Sequence, residues 1–301
     1  MSVTLSNDAP GQTRRLALGT VQFGLNYGVA NQVGQVSLSS AKNMLQLLKN
    51  KGGDTLDTAI AYGESESCLG ELGTKGFKLV TKLPAVPDGC GDINSWVREQ
   101  IAASFNRMGV VSVYGLLLHR SSQLLMTNGR VLFNALQDLK ENGLVQKIGV
   151  SVYAPGDLDA LIPKYRFDLV QAPFNLIDRG LYTSGWLQRL KQENVEIHTR
   201  SAFLQGLLLM PLEAIPPKFA PWEALWDNWH NWLACHPVSA VQACLAYPLA
   251  FPEIDRVVIG ADSMNQLRQI IDATLPISID ELPDLCCEDE NLINPGNWVQ
   301  L

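Results

Sequence analysis

Eight short apolar segments, most of them followed by a helical pattern, limit the folds open to this sequence. Most are continuous apolar runs rather than alternating ones, which is typical of parallel strands buried on both faces. Regular alternation of strand and helix along 301 residues favours a single-domain α/β fold, a (β/α)8 TIM barrel, over a doubly wound sheet. The predicted strands span residues 15–20, 54–59, 78–83, 113–119, 147–152, 169–175, 196–202 and 256–261.

Helical periodicity with recognisable ends lies between several of these strands. The clearest predicted helices are one over residues 39–51, one capped by Asp92 and one capped by Asn128. The sequence lacks the glycine fingerprints of a Rossmann domain and of a P-loop, so neither nucleotide-binding fold is expected. Weaker patterns predict further helices at residues 156–163, 183–193, 237–250 and 263–273.

Two stretches do not fit the alternation. Residues 211–235 are predicted to be an insertion after the seventh strand, and residues 276–301 an acidic C-terminal tail that reaches the barrel mouth through Trp298. A tryptophan stripe on the insertion either seals a helix onto the barrel, which we favour, or forms a wall of a substrate pocket. The stripe consists of Trp222, Trp226, Trp229 and Trp232, which share one face of a helix.

Composition excludes several classes of protein. The net charge of −7 and the pI near 5.1 argue against a nucleic-acid or anionic-membrane partner. No run approaches the roughly 18 apolar residues of a membrane span, and the N-terminal residues lack the apolar core of a signal peptide. The six cysteines show no CxxC spacing, so we expect reduced thiols in a cytoplasmic protein. With four histidines and no HExxH motif, we expect no metal site.

Polar side chains stand at the predicted carboxyl ends of three consecutive strands. Asp57 ends the second strand and Tyr62 follows five residues later, while Lys82 ends the third strand and His119 the fourth. These strand ends share one edge of a parallel barrel, where catalytic groups collect. A lysine in an apolar strand needs a partner because an isolated buried charge is costly, and Asp57 on the neighbouring strand is the natural one. The four side chains are therefore predicted to meet at the barrel mouth.

Each of these four residues has a structural explanation when it is taken alone, but the set in chain order favours catalysis. Reduction of a carbonyl by hydride transfer builds negative charge on the carbonyl oxygen, and a tyrosine with a pKa of about 10 needs help to supply the proton. An adjacent Lys82 ammonium would stabilise the phenolate of Tyr62, and Asp57 would hold that ammonium. His119 would orient the carbonyl through a hydrogen bond.

The sequence resembles the aldo-keto reductase family over about residues 15–272. The segment DTAIAYGESE (57–66) is similar to the second-strand motif of that family, and LGTVQFG (18–24) is similar to its first-strand motif. Four later segments, IGVSVY, VQAPFNLIDR, RSAFLQGLL and VVIGADSMNQLRQ, resemble further family motifs in the same order. The resemblance implies a nicotinamide-dependent carbonyl reductase with the catalytic tetrad Asp57, Tyr62, Lys82 and His119.

The resemblance also implies where an extended cofactor would bind. The protein would supply position and electrostatics while the nicotinamide supplies the hydride, and the N-terminus of the last helix would help to hold the adenosine end. The implied residues are Gly19, Thr20, Val21 and Asp57 around the nicotinamide and its ribose, Ser151, Gln171 and Arg200 at the carboxamide and ring, Ser201, Phe203 and Gln205 along the pyrophosphate, and Gly260, Ala261, Asp262, Ser263, Gln266 and Arg268 at the adenosine end.

Three positions depart from the family pattern. Val152 stands where an asparagine usually bonds the carboxamide, and Arg200 stands where a tyrosine usually stacks on the nicotinamide, although a guanidinium can also stack. Asp262 replaces a residue that is often basic and contacts the 2′-phosphate of NADP. A carboxylate there would repel that phosphate or accept from a ribose hydroxyl, while Arg268 is expected to reach the phosphate. We therefore expect NADP(H) from the family pattern, with NAD(H) left open.

The first loop, VQFGLNYGVANQVGQ (21–35), mixes aromatic and amide side chains that suit a polyhydroxylated ligand. We assign Phe23, Tyr27, Tyr62 and His119 to the substrate site. The loop resembles that of aldo-keto reductases associated with bacterial surface-sugar pathways, which implies a sugar or nucleotide-sugar carbonyl as the small-molecule substrate. The alternatives are a nicotinamide-binding sensor or regulatory subunit on the same barrel, and a non-redox lyase or isomerase; the intact tetrad argues against both.

Overall fold

Eight parallel strands close into a barrel at the centre of the molecule, so the predicted (β/α)8 TIM barrel is confirmed. The computed structural model describes residues 12–274 and 281–301; the first eleven residues, on which the signal-peptide prediction partly rests, and residues 276–280 of the predicted tail lie outside the described residues. The strands are β1 (Leu16–Gly19), β2 (Thr55–Asp57), β3 (Lys78–Leu83), β4 (Val113–Leu118), β5 (Val145–Ser151), β6 (Leu169–Pro173), β7 (Glu196–Arg200) and β8 (Arg256–Ile259). Pairing of β1 with β8, through Leu16 and Val257, completes the ring.

Helices surround the barrel and connect its strands. In the described part of the chain no helix is long and apolar enough to cross a membrane. The α-helices are α1 (Val21–Gly24), α2 (Leu38–Asn50), α3 (Ser65–Leu72), α4 (Ile93–Met108), α5 (Gly129–Glu141), α6 (Pro155–Leu161), α7 (Gly180–Thr183), α8 (Trp186–Gln192), α9 (Glu223–Cys235), α10 (Ala240–Leu249), α11 (Met264–Asp272) and α12 (Glu290–Ile293). Short 3-10 segments cover Ser121–Leu125, Leu204–Leu209, Leu212–Ala214, Pro217–Trp222 and Pro295–Gln300.

Side-chain caps explain where several helices begin. Ser37, Asp92 and Ser263 each accept a backbone N–H three residues later, at the starts of α2, α4 and α11. These bonds satisfy donors that the first helical turn leaves unpaired. Asn128 precedes α5 as predicted, but its side chain makes no capping hydrogen bond. The single helix predicted over 183–193 is instead α7 followed by α8, because Gly185 between them adopts a φ of 79°.

Two apolar layers hold the barrel together. Val80, Leu117 and Leu169 pack against one another inside the ring of strands. The larger layer lies between the strands and the surrounding helices, where for example Met44 and Leu48 of α2 are fully buried. Because side chains alternate along a strand, the inward-facing residues of each strand are fixed once one of them is known.

The insertion after β7 packs against the body of the protein through its tryptophans. Trp226 and Trp229 of α9 are buried. Their indole N–H groups donate to the carbonyl oxygens of Phe219 and Leu208, at 2.9 and 3.0 Å. Each buried indole therefore has a partner for its polar atom, as a buried tryptophan requires. This half of the stripe seals the helix, in agreement with the favoured interpretation.

The other half of the stripe holds the C-terminal tail. The Trp222 indole donates to the Asp289 carboxylate at 3.2 Å, and the Trp232 indole donates to a backbone carbonyl of the tail at 2.9 Å. Trp298 is itself buried, with its ring 4.8 Å from that of Phe219. The described part of the tail is thus packed onto the insertion rather than extended into solvent.

Glu66, the last residue of the DTAIAYGESE segment, is a buried carboxylate that joins α3 to β3 and α4. Only 1% of its surface is exposed. Its Oε1 accepts from the hydroxyls of Thr81 and Ser104, at 2.8 and 2.7 Å. Its Oε2 accepts two hydrogen bonds from the Arg107 guanidinium, at 2.9 and 2.7 Å. A buried charge is tolerable only with such complete pairing, so this residue has a structural role within the motif.

We expect Glu66→Ala to lower the free energy of unfolding by about 3 kcal/mol, because it leaves two buried hydroxyls and a guanidinium without their partner. Urea denaturation would measure the change. The matched control is Glu193→Ala, whose ion-pair partner Arg166 has 85% of its side chain exposed; there we expect a loss below about 0.5 kcal/mol. Equal losses at the two positions would contradict the proposed role of Glu66.

Candidate active site

Strand geometry brings four polar side chains to the mouth of the barrel. Lys82 and His119 each follow, by two residues, a strand residue that points into the barrel, so they point inward as well. Asp57 ends the neighbouring strand β2. Tyr62 enters from the loop between β2 and α3. The four predicted catalytic residues therefore lie together at the carboxyl ends of β2, β3 and β4.

The Lys82 ammonium lies at the base of this group, with 1% of the residue exposed. Nζ donates to Asp57 Oδ1 at 2.5 Å, to the Thr58 carbonyl at 3.0 Å and to Tyr62 Oη at 3.4 Å. Burial alone would lower the pKa of this lysine, but the Asp57 carboxylate and the Tyr62 hydroxyl raise it by more, so the pKa lies above its ordinary value. Lys82 is therefore charged throughout the neutral pH range.

The second oxygen of Asp57 is also occupied. Oδ2 accepts from Nε2 of Gln171, on β6 across the barrel, at 2.7 Å. Gln171 was expected to bond a carboxamide. Because Nε2 gives one of its two hydrogens to Asp57, the second hydrogen of Nε2 and the acceptor Oε1 remain for a ligand.

Tyr62 is placed so that its own proton faces the cleft. Its Oη accepts from Lys82, which leaves the phenolic hydrogen free to be donated elsewhere. The ring meets His119 edge-on, with centroids 5.9 Å apart and planes at 82°. The loop that carries Tyr62 packs closely on Gly24, where a Cβ atom would lie 1.9 Å from the Tyr62 carbonyl oxygen. The last glycine of LGTVQFG is therefore required to position the tyrosine loop.

His119 is neutral in this environment. Burial, followed by repulsion from the Lys82 ammonium, lowers its pKa from 6.5 to about 4. At neutral pH the imidazole therefore carries one N–H group that can donate a hydrogen bond and one nitrogen that can accept.

An open cleft of about 960 Å³ begins at these side chains and extends over the ends of β1, β5, β6, β7 and β8. Its size is that of a pocket for a ligand or cofactor. Most of the predicted site residues line it: Gly19, Val21, Tyr27, Asp57, Tyr62, Lys82, His119, Ser151, Gln171, Arg200, Ser201, Phe203, Gln205, Gly260, Ala261, Asp262 and Gln266.

Four predicted site residues do not line the cleft. Thr20 and Phe23 are 0% and 1% exposed: Thr20 bonds a serine of α3, and Phe23 belongs to the hydrophobic core. Ser263 uses its side chain to cap α11. Arg268 is exposed and lies two residues after Gln266. At about 100° per residue, Arg268 faces away from the cleft that Gln266 lines. Arg268 is thus not among the residues that line the cleft, although the sequence led us to expect it at the adenosine end.

Other residues that line the cleft were not assigned to the site from the sequence. Gln269 and Ile270 follow Gln266 by three and four residues on the same face of α11, so helical periodicity would have found them. Tyr153 lies just beyond β5. Gln22 lies in the LGTVQFG motif and Leu25 in the first loop, next to residues that were assigned to the site. Further residues are brought in from distant parts of the chain, which no local signal indicates: Met210, Pro211, Ala214, Val241, Pro295 and Gly296.

The loop after β7 holds a strained backbone along the cleft. Ser201, Leu204 and Gln205 have φ values of 64°, 47° and 53°, and Gly206 follows with 88°. Non-glycine residues rarely adopt positive φ. Such strained conformations are concentrated at ligand-binding sites, where the surrounding structure holds them in place. Successive left-handed residues also turn backbone N–H groups toward a common concavity, which favours anions.

Arg200, at the end of β7, lies over a neighbouring aromatic ring. Its Nη2 donates to the Val152 carbonyl at 3.1 Å and its Nη1 to the Ser201 hydroxyl at 3.2 Å. Its guanidinium carbon lies 4.8 Å from the centre of the Tyr153 ring. The Val152 side chain is fully buried. The cleft floor here is therefore a guanidinium plane, a surface on which another aromatic ring can stack.

The β8 end of the cleft contains a polar atom that needs a ligand. Gln22 is 8% exposed, and within the described residues its Oε1 has no hydrogen-bond partner. A Cβ on Gly260 would lie 2.5 Å from the Gln22 amide nitrogen, so the glycine makes room for this side chain. A buried acceptor in a cleft wall suits a donor such as a ribose hydroxyl. Together with the strained loop, these features fit an extended dinucleotide.

Metal binding has no comparable support, because the described ranges contain no group of three or more His, Cys, Asp or Glu residues placed to hold an ion.

Comparison with known proteins agrees with this geometry. The sequence profile of the Aldo/keto reductase family matches residues 15–285, so the chain belongs to that family and is an NAD(P)H-dependent oxidoreductase. It is 26% identical over 233 residues to the oxidoreductase sirO of Leptosphaeria maculans, covering 74% of this chain and 68% of that protein. It is 24% identical over 265 residues to the uncharacterized oxidoreductase YqkF of Bacillus subtilis (strain 168), covering 80% and 85%.

Solved structures show the same fold at lower identity. The aldo-keto reductase AKR11C1 from Bacillus halodurans, in its holo form, superposes with a TM-score of 0.67 at 18% identity, over 89% of each chain. The glycerol dehydrogenase AKR11B4 from Gluconobacter oxydans superposes with a TM-score of 0.66 at 20% identity, over 89% of this chain and 88% of that one. Both are similar to this chain in architecture.

We expect the His119 ring to titrate with a midpoint near pH 4, as followed by NMR of the histidine ring protons. The folded-state pKa is below the ordinary value, so protonation of His119 opposes folding, and its contribution to stability is lost as pH falls from about 6.5 to about 4. His236 is the matched reference, because it is exposed, directly follows α9 and does not line the cleft. A His119 midpoint at 6.5 would show that neither burial nor Lys82 acts on it.

Proposed function

We propose that this protein reduces the carbonyl group of an aldehyde or ketone with Tyr62 as the proton donor, and that its substrate is a sugar or a sugar derivative. The observation that supports the first part is the simultaneous contact of Lys82 Nζ with Asp57 and Tyr62 at the base of the cleft. The bound nicotinamide supplies the hydride. The protein's own side chains stabilise the negative charge that develops on the carbonyl oxygen and supply the proton.

Tyr62 can act as an acid because its conjugate base is stabilised in place. As negative charge develops on the carbonyl oxygen, that oxygen takes the phenolic proton of Tyr62. Lys82 already donates to Oη, so the phenolate forms beside an ammonium that needs no reorganisation. Asp57 keeps that ammonium charged and in position. Water then returns a proton to the phenolate.

His119 suits the role of a neutral hydrogen-bond donor to the substrate oxygen. A protonated imidazole would be a stronger acid than Tyr62 and would place a second positive charge near Lys82. Its lowered pKa, about 4, avoids both effects at neutral pH. One N–H group remains to orient the carbonyl toward Tyr62.

The mixture of aromatic and amide groups near the tetrad supports a sugar-like substrate. Tyr27, Gln32, Tyr153 and Gln205 all line this part of the cleft. Gln205 Nε2 donates to Tyr27 Oη at 3.1 Å, which joins the β1 and β7 loops across the opening. Aromatic faces and amides suit the apolar and hydroxyl-bearing faces of a sugar ring. Asn31, from the same loop, bonds backbone groups of the loop itself.

We expect Tyr62→Phe to lower kcat/KM for carbonyl reduction by about 10²–10⁴-fold, the usual contribution of a general acid, while the affinity for the cofactor changes less than about twofold. Steady-state kinetics and cofactor titration would measure the two effects. Tyr182→Phe is the matched control, because that tyrosine is 45% exposed and does not line the cleft.

Two results would argue against the role of Tyr62. Undiminished reduction by Tyr62→Phe would remove it as the proton donor. Cofactor binding by the native protein without turnover of any carbonyl would favour the sensor alternative, since a sensor needs the cleft but not the proton relay.

For the substrate, we expect sugar aldehydes and ketoses to give higher kcat/KM than simple aromatic aldehydes, because several polar groups surround the tetrad. A panel of both classes, assayed by the change in nicotinamide absorbance, would test this. Turnover of aromatic aldehydes alone would exclude a sugar.

A further inference from the structure

The cationic side chains of the cleft are confined to its centre. Among the described residues, Lys82 and Arg200 are the lysine and arginine side chains that line it. Both are already engaged, Lys82 with Asp57 and Arg200 with two neighbouring acceptors. The residues outside the described ranges, 1–11 and 275–280, contain no lysine, arginine or histidine. Those two ranges therefore supply no further cationic side chain to the cleft.

The chemistry along the cleft fixes the direction in which a dinucleotide can lie. Its reactive ring has to meet Tyr62, on the β2 to β4 side of the mouth. Its phosphates, which are anionic, suit two places where backbone N–H groups favour anions. These are the loop after β7, with its left-handed residues Ser201, Leu204, Gln205 and Gly206, and the N-terminal end of α11. The face of α11 that lines the cleft is then left for the second ribose and its base.

That face of α11 presents acceptors and amides. Asp262 lies between β8 and α11 and lines the cleft together with Gln266 and Gln269. The Gln266 side chain accepts from the Asp262 backbone N–H at 2.6 Å, which holds the two residues together. Gln22 beside them contributes its buried Oε1, for which the described chain offers no donor. A ligand group that donates to the Asp262 carboxylate and to Gln22 Oε1, and that adds no negative charge beside Asp262, therefore suits this face.

A ribose with free hydroxyls meets this requirement and a ribose with a 2′-phosphate does not. The hydroxyls can donate to a carboxylate and to an amide oxygen. A phosphate monoester adds about 1.5 to 2 negative charges at neutral pH and three acceptor oxygens. Placed beside Asp262, it would be repelled by a like charge in a partly desolvated cleft. Arg268, the nearest candidate counter-charge in the sequence of α11, lies on the other side of the helix.

We infer that this cleft takes NAD(H) in preference to NADP(H), with Asp262 as the residue that accepts from a ribose hydroxyl and excludes the 2′-phosphate. The inference rests on the proposed function, in that it assumes a nicotinamide dinucleotide whose ring meets Tyr62. It differs from the expectation of NADP(H), which came from the family pattern, and it takes up the alternative, NAD(H), that the sequence left open.

The test is equilibrium binding of NADH and of NADPH to the full-length protein, without substrate, by isothermal titration calorimetry and quenching of tryptophan fluorescence. NADH is expected to bind at least about tenfold more tightly than NADPH. ADP-ribose and its 2′-phosphorylated form, used as competitors, isolate the adenosine end from the nicotinamide. The same preference is expected between these two competitors.

Three variants identify the residues responsible. Asp262→Asn removes the charge and keeps an acceptor, and should reduce the preference for NADH mainly by strengthening NADPH binding. Gln266→Arg places a cation on the cleft face of α11 and should strengthen NADPH binding by about tenfold or more. Arg268→Ala is the matched control, with both affinities expected to stay within about twofold.

The outcomes separate this inference from the proposed function. Tighter or equal binding of NADPH by the native protein, or a marked loss of NADPH binding in Arg268→Ala, would overturn the NAD(H) preference and leave the reductase proposal standing. An unchanged preference in Asp262→Asn would remove the assigned role of that carboxylate. Binding of neither cofactor would overturn both proposals together.

Discussion

The buried ion pair between Lys82 and Asp57 is the interaction on which the candidate site depends. Two charges inside an apolar barrel are costly, and their attraction offsets that cost only when the remaining polar atoms are also bonded. Here the second carboxylate oxygen of Asp57 accepts a hydrogen bond from Gln171, and Lys82 also donates to the Thr58 carbonyl and to Tyr62. The pair thereby joins β2, β3 and β6 and fixes the place at which the tyrosine hydroxyl must lie.

The opposite end of the barrel is closed by a second charged cluster with a different purpose. Glu196 is bonded by Lys147, by the Tyr114 hydroxyl at 2.6 Å and by His198 at 2.7 Å. Burial alone would raise the pKa of this carboxyl, but the hydrogen bonds from His198, Lys147 and Tyr114 outweigh burial and hold the pKa below its ordinary value. The cluster lies at the amino ends of the strands, where the residues of such a barrel contribute to stability rather than to catalysis. Both ends are polar, and at the mouth the Tyr62 hydroxyl keeps its proton for a ligand.

The parts of the cleft far from the tetrad come from segments that are additions to the barrel. The insertion after β7 contributes Pro211 and Ala214, and the tail contributes Pro295 and Gly296. The tryptophans of α9 hold these segments in place through their ring faces and indole N–H groups. Under the proposed function, substrate selectivity would rest on the packing between these additions, and the chemistry on residues at the ends of the strands. Such a division allows one barrel chemistry to serve different substrates.

The sequence by itself determined the barrel and the identity of its polar mouth. Side chains alternate along a strand with a period of two, and the carboxyl ends of parallel strands share one edge of the barrel. Asp57, Lys82 and His119 therefore converge whatever the arrangement of the rest of the chain. Only the tertiary structure decided which neighbours are available to a ligand. It turned Phe23 into the core and Arg268 away from the cleft. These outcomes depend on contacts between residues far apart in sequence and on the phase of a helix relative to the barrel, neither of which a local motif encodes.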